Sequence, residues 1–217
     1  MTRDDHMVYI VDDDPAMQEA VDNLLSSHGF AVQAYCSASA YMSAAKPKVP
    51  ACLVLDVELP DINGLELQRK LEGVAHPPIV FITGYGTVSS CARAMKAGAV
   101  DFLPKPFDEE AILQAVETAL ARDRDAREAA AVHQRLTRRY LSLTPRERDV
   151  LPLVVSGLLN KQGAARLGIS IVTFQIHRSN IMRKMAAGSL AELVRMAEAL
   201  GIRAEGRHGT GESELAD

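Results

Sequence analysis

Val8-Tyr9-Ile10-Val11-Asp12-Asp13-Asp14-Pro15 is the stretch on which the fold turns. Four apolar residues rich in β-branched and aromatic side chains make a short buried strand. Three carboxylates follow at once, and Pro15 opens a helix-period segment. Outward from it the same alternation repeats. Apolar runs at Ala31–Tyr35, Cys52–Leu55, Ile79–Ile82 and Val100–Leu103 are predicted strands, and Pro15–Ser27, Ser39–Ala45, Leu65–Leu71 and Ser89–Ala97 are predicted helices. Alternation of this kind requires right-handed crossovers and a five-stranded parallel α/β sheet, doubly wound, with helices on both faces. Functional side chains in such sheets gather at the carboxyl ends of the strands.

Asp12 and Asp13, Asp56, Thr83 and Lys105 each stand just past the end of a different predicted strand. Singly, each has a bland reading: an acidic pair after a strand is often a helix N-cap, and Lys-Pro is usually a turn. Together they have the chemistry of phosphoryl transfer to a carboxylate. A carboxylate nucleophile needs a divalent cation to bring an anionic phosphoryl group alongside, plus a cation and a hydroxyl for the transferred oxygens. Asp12, Asp13 and Asp56 supply a hard-oxygen Mg²⁺ site, Lys105 the point charge and Thr83 the hydroxyl.

From Asp108 the pattern turns helical and continues to about Tyr140, with Ile112, Leu113, Val116 and Leu120 on one face. Residues 122–141 are read as a helical linker, with a frayed, partly flexible one as the alternative. An all-α domain of four short helices follows over 142–204. Thr144-Pro145-Arg146-Glu147 opens it as a capping box with proline at the first helical position, and Ser189-Leu190-Ala191-Glu192 is a second box. Gly157 and Gly168 mark helix ends. The polar, Gly-rich tail at 205–217 is expected to be disordered.

Charge divides along the same line. Residues 1–121 hold 17 carboxylates against 8 Lys/Arg, a net −9, whereas 142–205 hold 9 Lys/Arg against 5 carboxylates, a net +4. Between Val150 and Ala191 there are five Lys/Arg and no carboxylate. An acidic half joined to a basic half implies two jobs, with any nucleic acid meeting the second.

The segments Val8–Asp14, Leu53-Val-Leu-Asp56 with Leu59-Pro-Asp-Ile-Asn-Gly64, Ile82-Thr-Gly84 and Asp101-Phe-Leu-Pro-Lys-Pro106 resemble those of CheY-like receivers, which have the flavodoxin-like fold. The resemblance covers residues 7 to about 121. It implies that Asp56 is the phosphoacceptor and that Asp13, Asp56 and the carbonyl of Glu58 hold Mg²⁺, with Asp12 acting through water. It also implies that Lys105 and Thr83 engage the phosphoryl oxygens, that Lys105-Pro106 is cis, and that Phe102 is the switch aromatic. In the second half Leu143-Thr-Pro-Arg-Glu-Arg-Asp-Val-Leu151, Gly157-Leu-Leu-Asn-Lys-Gln162, Leu167-Gly-Ile-Ser170, His177-Arg178 and Ile181-Met-Arg-Lys-Met185 resemble the helix-turn-helix of LuxR-type regulators. The pair resembles FixJ/NarL-type response regulators, particularly the FixJ, StyR and TodT group. That implies a sensor histidine kinase, promoter DNA, RNA polymerase and a phosphorylation-dependent homodimer as partners.

The implied recognition helix is Ile171–Met185. At about 100° per residue, Phe174, Arg178, Ile181 and Met185 share the face that packs on the domain. Val172, Gln175, Ile176, Ser179 and Arg183 share the opposite face, and Lys184 is added to them as a DNA contact. Gln175 is expected to read an A·T pair, Val172 or Ile176 to meet a thymine methyl, and Arg183 to touch phosphate. The alternative for Gln175 is a merely solvated helix residue. Three departures from the family pattern stand out. Pro152 lies inside a predicted helix and should kink it. Gly163 sits where Ile is common, at a cost of up to ~1 kcal/mol against Ala plus lost packing. Val172 sits where Arg is common.

A hydrophobic fraction of 47% with 24% charged residues excludes global disorder, and no apolar run approaches the ~20 residues of a bilayer span, so no membrane role is expected. The polar start and three scattered cysteines (Cys36, Cys52, Cys91) fit a cytoplasmic protein. Two rivals remain. A haloacid-dehalogenase-like phosphatase would use Asp12, Asp14, Thr83 and Lys105, but it leaves Asp56 unexplained and lacks a strand-borne acidic pair after Lys105. A receiver acting on protein partners, its helical domain having lost DNA binding, would fail a gel shift with genomic fragments.

Overall fold

The computed structural model describes residues 6–202. Its first half alternates β1 (Met7–Val11), α1 (Pro15–Ser27), β2 (Val32–Tyr35), α2 (Ala38–Ser43), β3 (Ala51–Asp56), α3 (Gly64–Leu71), β4 (Ile79–Thr83), α4 (Val88–Lys96) and β5 (Asp101–Pro104). The strands form one parallel sheet in the order β2-β1-β3-β4-β5. Side-chain alternation divides the core by face. Val8, Ile10, Cys52, Val54, Val80 and Ile82 pack with Leu25, Ile112 and Val116. Tyr9, Val11, Leu53, Leu55 and Phe81 pack with Tyr41, Leu67 and Ala94. The central β3 and β4 are buried along their whole length, as a sheet covered on both sides requires.

The loops at the carboxyl ends carry their own stops and starts. Asp14 caps α1 by accepting from the Ala16 amide at 2.9 Å, with Pro15 at the first helical position. Asn63 caps α3 the same way, accepting from Leu65 at 3.0 Å. The helix after it starts hard against β3: a Cβ on Gly64 would stand 2.3 Å from the carbonyl oxygen of Asp56, so only glycine allows this approach.

Helix α5 (Glu109–Leu141) follows, and the chain divides into two compact units between Glu128 and Ala129. The first unit therefore reaches beyond residue 121. Asp123 accounts for this. It lies at helical spacing on the apolar face of Ile112, Val116 and Leu120, is buried, and accepts from the Ala51 amide at 2.7 Å and from Arg127 at 2.6 Å.

The second unit is helical: α6 (Pro145–Val155), α7 (Asn160–Leu167), α8 (Ile171–Met185) and α9 (Leu190–Ala199) enclose Val150, Leu151, Leu153, Phe174, Ile181, Met185 and Leu193. Both expected capping boxes carry the N-cap bond: Glu147 donates its amide to Thr144 at 3.3 Å, and Glu192 donates its amide to Ser189 at 3.1 Å. Pro152 does not end its helix. It removes the amide that would bond the Arg148 carbonyl, yet α6 continues to Val155. The expected tail at 205–217 lies outside the described residues.

Candidate phosphoacceptor site and DNA-reading helix

The parallel sheet brings Asp12, Asp56, Thr83 and Lys105 to one edge because all five strands end there. Asp12 is fully buried and Asp56 is 6% exposed. Oxygen atoms of Asp12, Asp13 and Asp56 lie within 4.8 Å of one another. Lys105 Nζ reaches across the group, donating to Asp12 at 2.6 Å and to Asp56 at 2.8 Å. Backbone amides orient the carboxylates: Asp14 donates to Asp12 Oδ1 at 2.9 Å and Glu58 to Asp56 Oδ1 at 3.0 Å. Gln18 holds the loop by donating to the carbonyls of Asp12 and Tyr35.

Burial raises the Asp12 carboxyl above its usual range, and the bonds from Lys105 and Asp14 only partly offset this. Burial by itself would lower Lys105, but its bonds to Asp12 and Asp56 outweigh it and hold the ammonium more firmly protonated. Three carboxylates facing one ammonium leave the pocket with excess negative charge. All their donors are hard oxygens, so the residues fit a divalent cation of the Mg²⁺ type.

Thr83 is fully buried and its hydroxyl oxygen accepts from the Tyr85 amide at 3.2 Å. Phe102 is half-buried, with its ring 6.0 Å from that of Phe81. The loop between β4 and α4 presses on both residues: a Cβ on Gly86 would lie 2.9 Å from the Phe102 ring and 3.0 Å from the Thr83 methyl. The loop backbone therefore lies close against both the Phe102 ring and the methyl of Thr83.

In the second unit α8 starts at Ser170, which accepts from the Thr173 amide at 3.0 Å. Phe174, Ile181 and Met185 are fully buried. Val172 (65% exposed), Gln175, Ile176 (55%), Ser179 and Arg183 line the outer face. Arg178 lies on the inner side and donates to Asn160 of α7 at 3.0 Å, which ties the two helices together.

Residues 8–117 match the family described as response regulator receiver domain, and residues 141–197 match that described as bacterial regulatory proteins, luxR family. The chain is a two-component response regulator of the FixJ/NarL type. The regulator is 47% identical over 199 residues to nodulation protein W of Bradyrhizobium diazoefficiens, covering 91% of this chain and 88% of that one. It is 43% identical over 195 residues to response regulator protein TodT of Pseudomonas putida, covering 89% and 86%. The solved structure of response regulator StyR superposes with a TM-score of 0.82 at 45% identity, covering 89% of this chain and 98% of that one.

The regulator's structure brings the sequence-predicted receiver residues together, and Lys105-Pro106 is cis. Two expectations about the second unit change. Lys184 does not extend to the outer face: its ammonium donates to the buried carboxylate of Glu147 at 2.7 Å, so it braces α8 against α6. The packing expected to be lost at Gly163 is not lost, because the Phe174 ring occupies that space. Asp123, and the pairing of the capping residue Glu147 with Lys184, are not among the sequence-based expectations. Asp123 had a readable signal, a carboxylate in register with an apolar helix face; the Glu147 partner had none.

Proposed function

We propose that the regulator accepts a phosphoryl group from a sensor histidine kinase on Asp56 and, so modified, pairs with a second copy to bind promoter DNA. The receiver would extend past residue 121 to about residue 128, with the linker running on to 141 and the reader over 142–204. The observation that carries the first step is the group of Asp12, Asp13 and Asp56 within 4.8 Å, bridged by Lys105. Asp13, Asp56 and the Glu58 carbonyl would hold Mg²⁺, with Asp12 joined through water. The cation would draw the anionic donor in and neutralise charge on the transferred oxygens. An Asp56 carboxylate oxygen attacks the phosphorus, the P–N bond to the kinase imidazole breaks, and an acyl phosphate forms. Lys105 then turns from Asp12 and Asp56 to a phosphoryl oxygen, and the Thr83 hydroxyl donates to another. The receiver hydrolyses this bond itself: water attacks the phosphorus, the P–O bond breaks, and Asp56 is restored.

As Thr83 and Phe102 shift toward the phosphoryl group, the loop at Gly86 and the start of α4 move with them. That region exposes Tyr85 (82%), Val88 (90%) and Met95 (42%), an apolar face suited to a second copy. A dimer also matches paired half-sites in DNA. Sedimentation of the full chain should show monomer without a phosphoryl mimic and dimer with it. An unchanged monomer across micromolar concentrations would remove this step. Among the described residues no helix is long and apolar enough to cross a membrane. The working place proposed is the cytoplasm, where RNA polymerase is the next partner.

For base reading, the Gln175 side-chain amide can accept from adenine N6 through its oxygen and donate to N7 through its nitrogen, and Val172 and Ile176 offer methyls to thymine. Arg183 supplies charge to phosphate. Gln175→Ala should cost ~1–3 kcal/mol at one base position and relax its preference, whereas Arg183→Ala weakens all sequences alike. Binding across single-base operator variants checks both. A Gln175→Ala variant that keeps every base preference would reduce Gln175 to a solvated helix residue. A gel shift with genomic fragments tests the reader as a whole.

A further inference from the structure

We propose that Gly163 and Phe174 are a positioning pair: the glycine on α7 receives the phenylalanine of α8, and the fit sets which bases the outer face of α8 meets. The inference rests on the reading of α8 as the DNA-reading helix. Phe174 is fully buried. A Cβ on Gly163 would lie 2.3 Å from its Cζ and 2.5 Å from its Cε2, closer than real Cβ contacts come, and 3.1 Å from its Cε1. The two helices therefore meet through a ring seated on bare backbone.

Backbone conformation does not explain this glycine. Gly163 is inside α7 and is not among the residues with positive φ. In a helix interior glycine is less favourable than alanine. What the structure offers in return is room for the Phe174 ring.

The consequence for reading follows from geometry. Helix separation depends on the side chains at the contact, so a ring against glycine gives one approach distance and a ring against any larger residue gives another. Phe174 directly precedes Gln175, and on the inner side of α8 the next tie to α7 is Arg178 to Asn160 at 3.0 Å. A change at the Phe174 contact would therefore tilt α8 about the Arg178 tie and displace Gln175 and Val172. Bidentate bonds to base edges do not survive displacements on the scale of an ångström. Neither member of the pair needs to touch DNA.

The test uses full-length phosphorylated protein and a pool of duplexes with a randomised stretch, from which bound sequences are selected and read. Gly163→Ala, Phe174→Leu and the double variant are compared with wild type, and thermal unfolding confirms that each is folded. Both single variants should select a base preference changed at the position read by Gln175, with at least a tenfold loss of discrimination there. The double variant, with a smaller side chain facing the added methyl, should recover most of the wild-type preference. Should a single variant fail to fold, the other alters the same contact from the opposite side. Folded variants that select the wild-type sequences, however weakened in affinity, would reduce the pair to core packing. Single variants changed at that position with no recovery in the double variant would also overturn the coupling. Wild-type protein that selects no sequence would overturn the reading of the domain itself, and the pair with it.

Discussion

Asp56→Asn is expected to take up no phosphate at all. Intact-mass measurement of the wild-type chain with Mg²⁺ and a small phosphodonor should show one added phosphate, absent in the variant and absent with a chelator. The amide is nearly isosteric and still offers Lys105 an oxygen in place of the 2.8 Å contact. It carries no negative charge, so it is no nucleophile toward phosphorus, and it removes one donor from the cation site. The loss should be chemical rather than structural. Asp56 stands beside Asp12 and Asp13 with a single ammonium among them, so removing one like charge relieves repulsion. The variant should unfold at the wild-type temperature or above it. Undiminished labelling of Asp56→Asn would falsify the phosphoacceptor assignment, and a variant that unfolds early would show that Asp56 has a structural part as well.

Glu147→Ala is expected to be strongly destabilising although it removes no apolar core contact. The Glu147 side chain is 4% exposed, and its Oε2 accepts from Lys184 Nζ at 2.7 Å and from the Thr144 amide at 2.8 Å. Its loss removes half of a capping box and leaves Lys184 without its counter-charge. Breaking a buried ion pair this way costs about 3–5 kcal/mol. Lys184 is 24% exposed and can recover some water, so about 3 kcal/mol with the cap included is the expected loss. Denaturant unfolding of the full chain measures it, and a loss below about 1 kcal/mol would show that the pair contributes little.

Burial alone would raise the Glu147 carboxyl, but the bonds from Lys184 and Thr144 outweigh it and hold it below its usual range. Its folded pKa therefore lies below its unfolded one. The stability it contributes is complete above the ordinary carboxylate range and is lost as pH falls through the lowered folded value. Glu147→Ala should flatten that part of the acid limb. Lys184→Met should weaken DNA binding without reducing its salt dependence, since the ammonium braces α8 and does not neutralise a phosphate.

The succession of strands and helices along the chain, the residues at the strand ends and the two faces of α8 are legible in the residues alone. Each of these is local. Strand-to-loop transitions, capping residues and helical periodicity are written within a few positions of one another, and in a parallel sheet every strand ends at the same edge. The convergence of Asp12, Asp56, Thr83 and Lys105 and the outward turn of Val172, Gln175 and Ile176 therefore follow from position along the chain. What Lys184, Gly163 and Asp123 do depends on partners that folding brings to them. Lys184 is a basic residue on a basic helix until Glu147 is found across from it, and Gly163 looks like a packing defect until the Phe174 ring is found in its place. Asp123 reads as one charge among many in a helix until the Ala51 amide is found beside it. Spacing along one element fixes which way a side chain points; what it meets depends on another element folded against it, and local periodicity carries no record of that partner.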